Sequence, residues 1–187
     1  MLIGYFIRSL WLALLVCWLV SAFRIKRAKR IEGRASRLSR MALTVLVFGL
    51  LFNSRGRVGW LGARFVPPSE IIAVVGAIAT AFGVGLAVWA RYVLGKNWSA
   101  AITFKENHEL IRTGPYARIR HPIYSGIILG LLGTALAIGE WRALAGTAVM
   151  FVSYFIKARS EESLLAREFG PAFQDHLSRT GMFLPRL

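Results

Sequence analysis

Acidic residues are scarce in this 187-residue chain, with 9 Asp and Glu against 24 Lys and Arg. Cysteine is nearly absent: Cys17 stands alone inside an apolar run, which excludes disulfides and reads as a small hydrophobe. None of the three histidines, His108, His121 and His176, stands with Cys or carboxylates at metal-ligand spacing. There is no Gly-rich strand-to-helix loop, which excludes a soluble Rossmann-type enzyme. Internal repeats and low-complexity tracts are also missing. No small-residue cleavage site precedes Arg24, and the first basic cluster follows the first apolar run. The N-terminus therefore reads as a retained membrane span and not as a signal peptide.

What the chain has in quantity is apolar surface, at 56% hydrophobic residues. A soluble domain of this size would not be so apolar, and a nucleic-acid binder would not set its basic residues between long apolar runs. Nucleic acid is excluded as a partner, and the basic excess reads as membrane orientation plus attraction to anionic headgroups. We expect an all-α membrane protein in a single domain, residues 1–187, with about five transmembrane helices. N-terminal spans fill 3–65 and a core fills 69–187.

Span one is 3–23, and Arg8 near its outer end is free to snorkel. The run 41–52 is short and spans only by continuing to about residue 61. Ser69 is a helix N-cap with Glu70 in the first turn. Span three, 71–94, is rich in Gly and Ala, which suits close helix packing. A long polar interval, 95–121, precedes span four at 122–139. Glu140, Trp141 and Arg142 make a tight turn into span five, 143–156. Leu165, Phe169, Phe173 and Leu177 recur every fourth residue and predict a C-terminal amphipathic helix. Placing the N-terminus outside puts 19 of the 24 basic residues on the inner side, leaving Arg8, Arg55, Arg57, Arg64 and Arg142 outside. The long loop and the C-terminus are then cytoplasmic.

Arg120, His121 and Tyr124 gather around Pro122 at the mouth of span four, and the adjacent acids Glu161 and Glu162 return to the same side. Polar groups at that depth are costly unless they bind something. Singly, each has an ordinary explanation: Arg120 as a charge anchor, His121 as a helix-start residue, the acids as partners of Lys157, Arg159 or Arg167. Together they predict an active site. Adjacent residues diverge on a helix, so one of the two acids is expected to face it. His108 and His176, in polar surroundings, read as surface residues.

The pattern Arg120-His121-Pro122-x-Tyr124-x-Gly126 follows Gly114-Pro115-Tyr116 and precedes Glu161-Glu162-x-x-Leu165-x-x-x-Phe169-Gly170. With Trp89 to Ser99, it resembles the isoprenylcysteine carboxyl methyltransferases, whose wider superfamily includes phospholipid N-methyltransferases. The likeness covers roughly residues 89–185. It implies an integral membrane methyltransferase using S-adenosylmethionine and acting on a lipid or lipidated acceptor. By that resemblance the catalytic residues are Arg120, Glu161 and Glu162. Tyr116, Arg120, His121, Pro122, Tyr124, Gly126, Glu161 and Glu162 line the cofactor.

A carboxylate acceptor needs no base, whereas a phospholipid amine must lose a proton, with Glu162 the candidate base. Gly126, Gly130 and Gly133 are expected to open a groove for the acceptor's lipid. The family often has Tyr where this chain has Phe173 and His176. A similar Arg-His-Pro-x-Tyr-x-Gly signature occurs in longer NADPH-dependent sterol reductases, and a non-catalytic membrane scaffold is the third class. The sequence carries nothing on oligomeric state.

Overall fold

Glycine decides how the central helices meet. In the computed structural model, which describes residues 1–22, 28–30, 34–53, 59–95, 103–105 and 110–186, α3 (Glu70–Leu94) and α4 (Pro122–Ile138) form the most intimate pair. A Cβ on Gly83 would lie 2.3 Å from the Gly130 amide nitrogen, and one on Gly126 would lie 2.5 Å from the Gly83 carbonyl. Gly76 and Gly133 make a second such crossing. Backbones touch because small residues let them, and in lipid that packing replaces the hydrophobic drive available in water.

α1 (Leu2–Ala22) lays Trp11 over Gly130 and donates its indole N–H to Thr134 Oγ1 at 3.0 Å. Thr134 in turn meets Thr80 Oγ1 at 3.2 Å, so the buried polar side chains of Trp11, Thr80 and Thr134 are paired. The remaining elements are α2 (Arg34–Phe52), α5 (Trp141–Phe169) and α6 (Pro171–Arg179). Short 3-10 turns lie at Gly59–Gly62 and Gly114–Ala117. One three-residue ribbon, β1 (Ala28–Arg30) antiparallel to β2 (Thr103–Lys105), departs from the purely helical expectation. It ties the first basic loop to the long polar interval.

The outside of the bundle is apolar. Leu12, Leu15, Val45, Leu46, Ile71, Phe82, Val152 and Phe155 are all exposed, the pattern of a surface solvated by lipid. Residues 2–21 and α3 are long and apolar enough to cross a membrane; residues 38–52 and α4 are shorter apolar helices.

Three local expectations change. α2 begins before the short run, at Arg34, and ends with it at Phe52; the expected continuation through residues 54–58 lies outside the described residues. Its C-terminal carbonyls are met by two arginines. Arg142 donates to Leu51 O at 3.2 Å and Asn53 O at 3.3 Å, and Arg8 donates to Phe52 O at 3.4 Å. Arg8 thus caps a helix end instead of snorkelling. The C-terminal amphipathic stretch is not one helix either. α5 continues unbroken to Phe169, Gly170 turns the chain at φ 47°, and Pro171, lacking an N–H, starts α6. Ser69 does cap α3, accepting from the Ile72 amide at 3.5 Å, and Gly139 closes α4 in the left-handed region.

Candidate active site

The continuous α5 is what delivers the acids: its apolar first half packs in the bundle and its charged second half runs past the start of α4. His121 occupies the cap position of α4 with a backbone that is neither helical nor extended, and Pro122 follows at the first helical position, fully buried. That geometry turns Arg120, His121 and Tyr124 towards α5.

The Arg120 Nε atom donates to Glu162 Oε1 at 2.6 Å. His121 lies between both acids, with Nδ1 3.5 Å from Glu161 Oε2 and Nε2 3.3 Å from Glu162 Oε1. The Tyr124 hydroxyl donates to Glu161 Oε1 at 2.8 Å. Both acids therefore face the site, against the expectation of one. Their directions diverge, but a single imidazole presents a nitrogen to each.

Rings stack beside the charges. His121 lies 5.4 Å from Tyr124 at 6°, and Tyr124 lies 4.9 Å from Tyr154 at 14°. Lys157 Nζ sits 5.4 Å from the Tyr124 centroid and 3.9 Å from Glu161.

The chain after α6 closes over this cluster. Its carbonyls at Gly181 and Met182 accept from the backbone amides of Arg120 and His121 at 2.9 and 3.1 Å. Phe183 O accepts from Ser125 Oγ at 2.6 Å, and Arg120 Nη1 donates to Thr180 O. The Phe183 ring lies 6.2 Å from His121. α6 is anchored through Phe173 and His176, both buried, so the surface assignment of His176 is corrected. Burial, and then the charges of Arg112 and Arg120, hold His176 below the usual histidine range. His108 and Trp98 lie outside the described residues.

Burial alone would discourage protonation of His121, but the two carboxylates outweigh it and raise its pKa. Burial likewise opposes ionisation of Glu161 and Glu162. His121 overcomes it, aided by Lys157 for Glu161 and by Arg120 for Glu162, and both fall below the usual carboxylate range.

Two predicted residues lie outside the ion-paired cluster. Gly126 packs against the α3 backbone at the helix crossing. Tyr116 is buried with Ala90 and Ile123 in a hydrophobic cluster. The groove expected at Gly126, Gly130 and Gly133 is filled by α3 backbone and the Trp11 ring. Sequence reasoning missed Tyr154, whose signal was a phenol inside an apolar span three residues before Lys157. It also missed the Thr180–Phe183 contacts, which use main-chain carbonyls and leave no side-chain signature.

The arrangement suits a small molecule carrying both charge signs. The buried His121 Nε2 lies 3.3 Å from Glu162 Oε1, and stacked phenol faces suit a cation. The two acids engage opposite nitrogens of one ring, and among the described residues no group of His, Cys, Asp and Glu is set to hold a metal ion.

Known proteins resemble this chain. Residues 71–172 match the family model described as phospholipid methyltransferase. A nickel-cobalt-cadmium resistance protein, NccN, from Alcaligenes xylosoxydans xylosoxydans is 36% identical over 106 residues, covering 56% of this chain and 49% of the relative. A cobalt-zinc-cadmium resistance protein, CzcN, from Cupriavidus metallidurans is 33% identical over 153 residues, covering 79% and 62%. A Schizosaccharomyces pombe protein-S-isoprenylcysteine O-methyltransferase is 28% identical over 94 residues, covering 49% and 40%. The chain thus spans about half to three-fifths of the metal-resistance relatives' length. The solved eukaryotic intramembrane Ras methyltransferase, isoprenylcysteine carboxyl methyltransferase, has the same fold, with a TM-score of 0.62 at 22% identity over 83% of this chain and 54% of that one. With more than half of its residues under the family model, this chain belongs to the phospholipid methyltransferase family.

Proposed function

We propose that the protein is an integral membrane methyltransferase that uses S-adenosylmethionine to O-methylate the carboxylate of an isoprenylcysteine-like lipidated acceptor at the inner face. The observation that carries this is the ionic cluster in which Arg120, His121, Tyr124, Glu161 and Glu162 converge from two helices. In this reading the N-terminus is outside, about five helices span, and α5 leaves the bilayer near residue 156. Residues 69–187 form the catalytic core.

S-adenosylmethionine, when bound, supplies an electrophilic methyl on a sulfonium. Glu161 and Glu162 would accept from its ammonium or ribose hydroxyls, and Arg120 or His121 would meet its carboxylate. Tyr124 and Tyr154 offer ring faces to the cationic part. Arg120 steers the acceptor once its pairing with Glu162 loosens. The protein's main task is alignment of the attacking oxygen with the methyl carbon. Neutralising an anion with a cation is favoured in a partly dry site.

The state of the acids favours a carboxylate over an amine acceptor. Both are hydrogen-bonded or ion-paired as anions and held below the usual carboxylate range, which makes them weak bases. A carboxylate arrives already ionised and needs none. N-methylation of a phospholipid amine is the second reading, favoured by the description of the matching family model.

Calorimetric titration of the detergent-purified protein with S-adenosylmethionine, its demethylated product and NADPH tests the class. Binding of the first two and not the third is expected. Binding of NADPH alone would make the protein reductase-like, and binding of none would leave a scaffold.

A further inference from the structure

Lys157 stands where the proposed chemistry needs a cation that arrives from outside. It lies on α5 one turn before Glu161, and Tyr154, Lys157 and Glu161 share one face of that helix by their spacing. Its ammonium is 3.9 Å from Glu161 Oε1 and 5.4 Å from the centre of the Tyr124 ring, with 12% of the side chain exposed. An ion pair of that length is looser than a charge-assisted hydrogen bond. The Tyr124 hydroxyl donates to the same oxygen, Glu161 Oε1, at 2.8 Å. One carboxylate and one phenol therefore form a small cation site, and a side chain of the protein fills it.

A carboxylate and an aromatic face are also what suits the positive end of the methyl donor. The neighbouring cations are committed differently: Arg120 pairs with Glu162 and reaches the Thr180 carbonyl, and His121 lies between both acids. His121 and Tyr154 stack on the Tyr124 ring as well, so an arriving cation has to share that ring with the ammonium. Lys157 sits on a flexible four-carbon stem. Its ammonium either stays and repels a second cation or draws back and gives up Glu161. Both responses cost a positively charged ligand something that a neutral ligand of nearly the same shape does not meet.

We infer that Lys157 is a specificity-determining residue whose ammonium competes with the cationic donor for Glu161 and Tyr124. It weakens S-adenosylmethionine relative to the demethylated product and favours loss of the sulfonium charge during transfer. This rests on the methyltransferase reading. In that reaction a lone pair on the acceptor carboxylate forms the new oxygen–carbon bond while the carbon–sulfur bond breaks, its electron pair staying on sulfur. The positive charge on sulfur disappears as that bond breaks, and the repulsion from Lys157 disappears with it. An interaction that opposes the bound donor more than the transition state raises the rate at saturation.

Calorimetric titration in detergent micelles with S-adenosylmethionine and with its demethylated product tests this in wild type, Lys157→Met, Lys157→Gln and Lys157→Arg. Removing the charge should tighten the donor about tenfold, the scale of like-charge repulsion in a partly buried site, and leave the product's affinity where it was. Lys157→Arg should keep the wild-type ratio of the two affinities. Single turnover at saturating donor with N-acetyl-S-farnesylcysteine should slow in Lys157→Met although the donor binds more tightly. A ratio that does not move, equal weakening of both ligands, or an unslowed turnover overturns the role and leaves Lys157 a prop for Glu161. Wild type that binds both ligands, with variants that do not change their ratio, sinks only this inference; wild type that binds neither sinks the parent reading.

Discussion

One guanidinium joins three segments: Arg120 donates through Nε to Glu162 at 2.6 Å and through Nη1 to the Thr180 carbonyl. The start of α4, the far half of α5 and the C-terminal tail meet at this residue. Loss of Arg120 therefore acts on the site's shape as well as its charge.

Arg120→Ala leaves Glu162, whose side chain is 10% exposed, without its 2.6 Å guanidinium donor. Breaking a nearly buried pair from one side costs roughly 3–5 kcal/mol, a large share of a typical stability. We expect a clear fall in melting temperature and faster amide exchange at residues 180–183. Arg120→Lys keeps the charge but not the two-directional donor, and should fall between. Unchanged exchange in the tail would show that it docks without Arg120.

Proton linkage gives a second prediction. His121 has a raised folded pKa, so its contribution is complete below its ordinary 6.5 and is lost as pH climbs through the higher folded value. Glu161 and Glu162 have lowered folded values, so theirs is complete above the ordinary 4.5 and is lost as pH falls through the lower ones. Melting temperature should be steady between the ordinary values of 4.5 and 6.5 and drop on both sides. His121→Gln should abolish the alkaline drop; its persistence would assign that limb to another group.

Much of this organisation was legible in the sequence, for reasons that differ by residue. Ser69 and Gly139 mark helix ends through local backbone chemistry. The Gly and Ala content of α3 announced close packing, because small residues have one main use in lipid. Arg120, His121, Tyr124 and the acidic pair stood out because charge beside an apolar run is costly. The continuity of α5 past Ile156 was not legible, since its periodicity runs on smoothly into α6 and only the Gly170–Pro171 pair breaks it. Arg8 and Arg142 read as outer charges because the carbonyls they cap are backbone atoms of a distant helix. His176 looked exposed for a similar reason: its neighbours in space come from the tail and the start of α4.

The α3–α4 crossing yields a steric test. A methyl on Gly83 would sit 2.3 Å from the Gly130 amide nitrogen, which cannot yield without separating the helices. Overpacking of this kind costs about 1–3 kcal/mol or more. Gly83→Ala should lower the melting temperature by several degrees, whereas Gly85→Ala on the same helix meets open space and should be neutral or slightly stabilising. Equal behaviour of the two would contradict the backbone contact.

The choice of acceptor can be read from Glu162. In the folded site this acid accepts from Arg120 and neighbours His121, so its charge organises cations whatever the acceptor. Glu162→Gln keeps an acceptor oxygen for Arg120 but gives up the charge and any capacity to take a proton. A carboxylate acceptor requires no proton transfer, so its methylation should fall about tenfold or less, through weaker positioning alone. An ammonium acceptor must be deprotonated first, and loss of a general base typically costs 10²–10⁴-fold. Initial rates with a prenylcysteine and with phosphatidylethanolamine, at saturating donor, measure the two losses side by side. A far steeper fall for the amine would identify Glu162 as its proton acceptor; an equal collapse would mean that the charge holds the site together and selects neither chemistry.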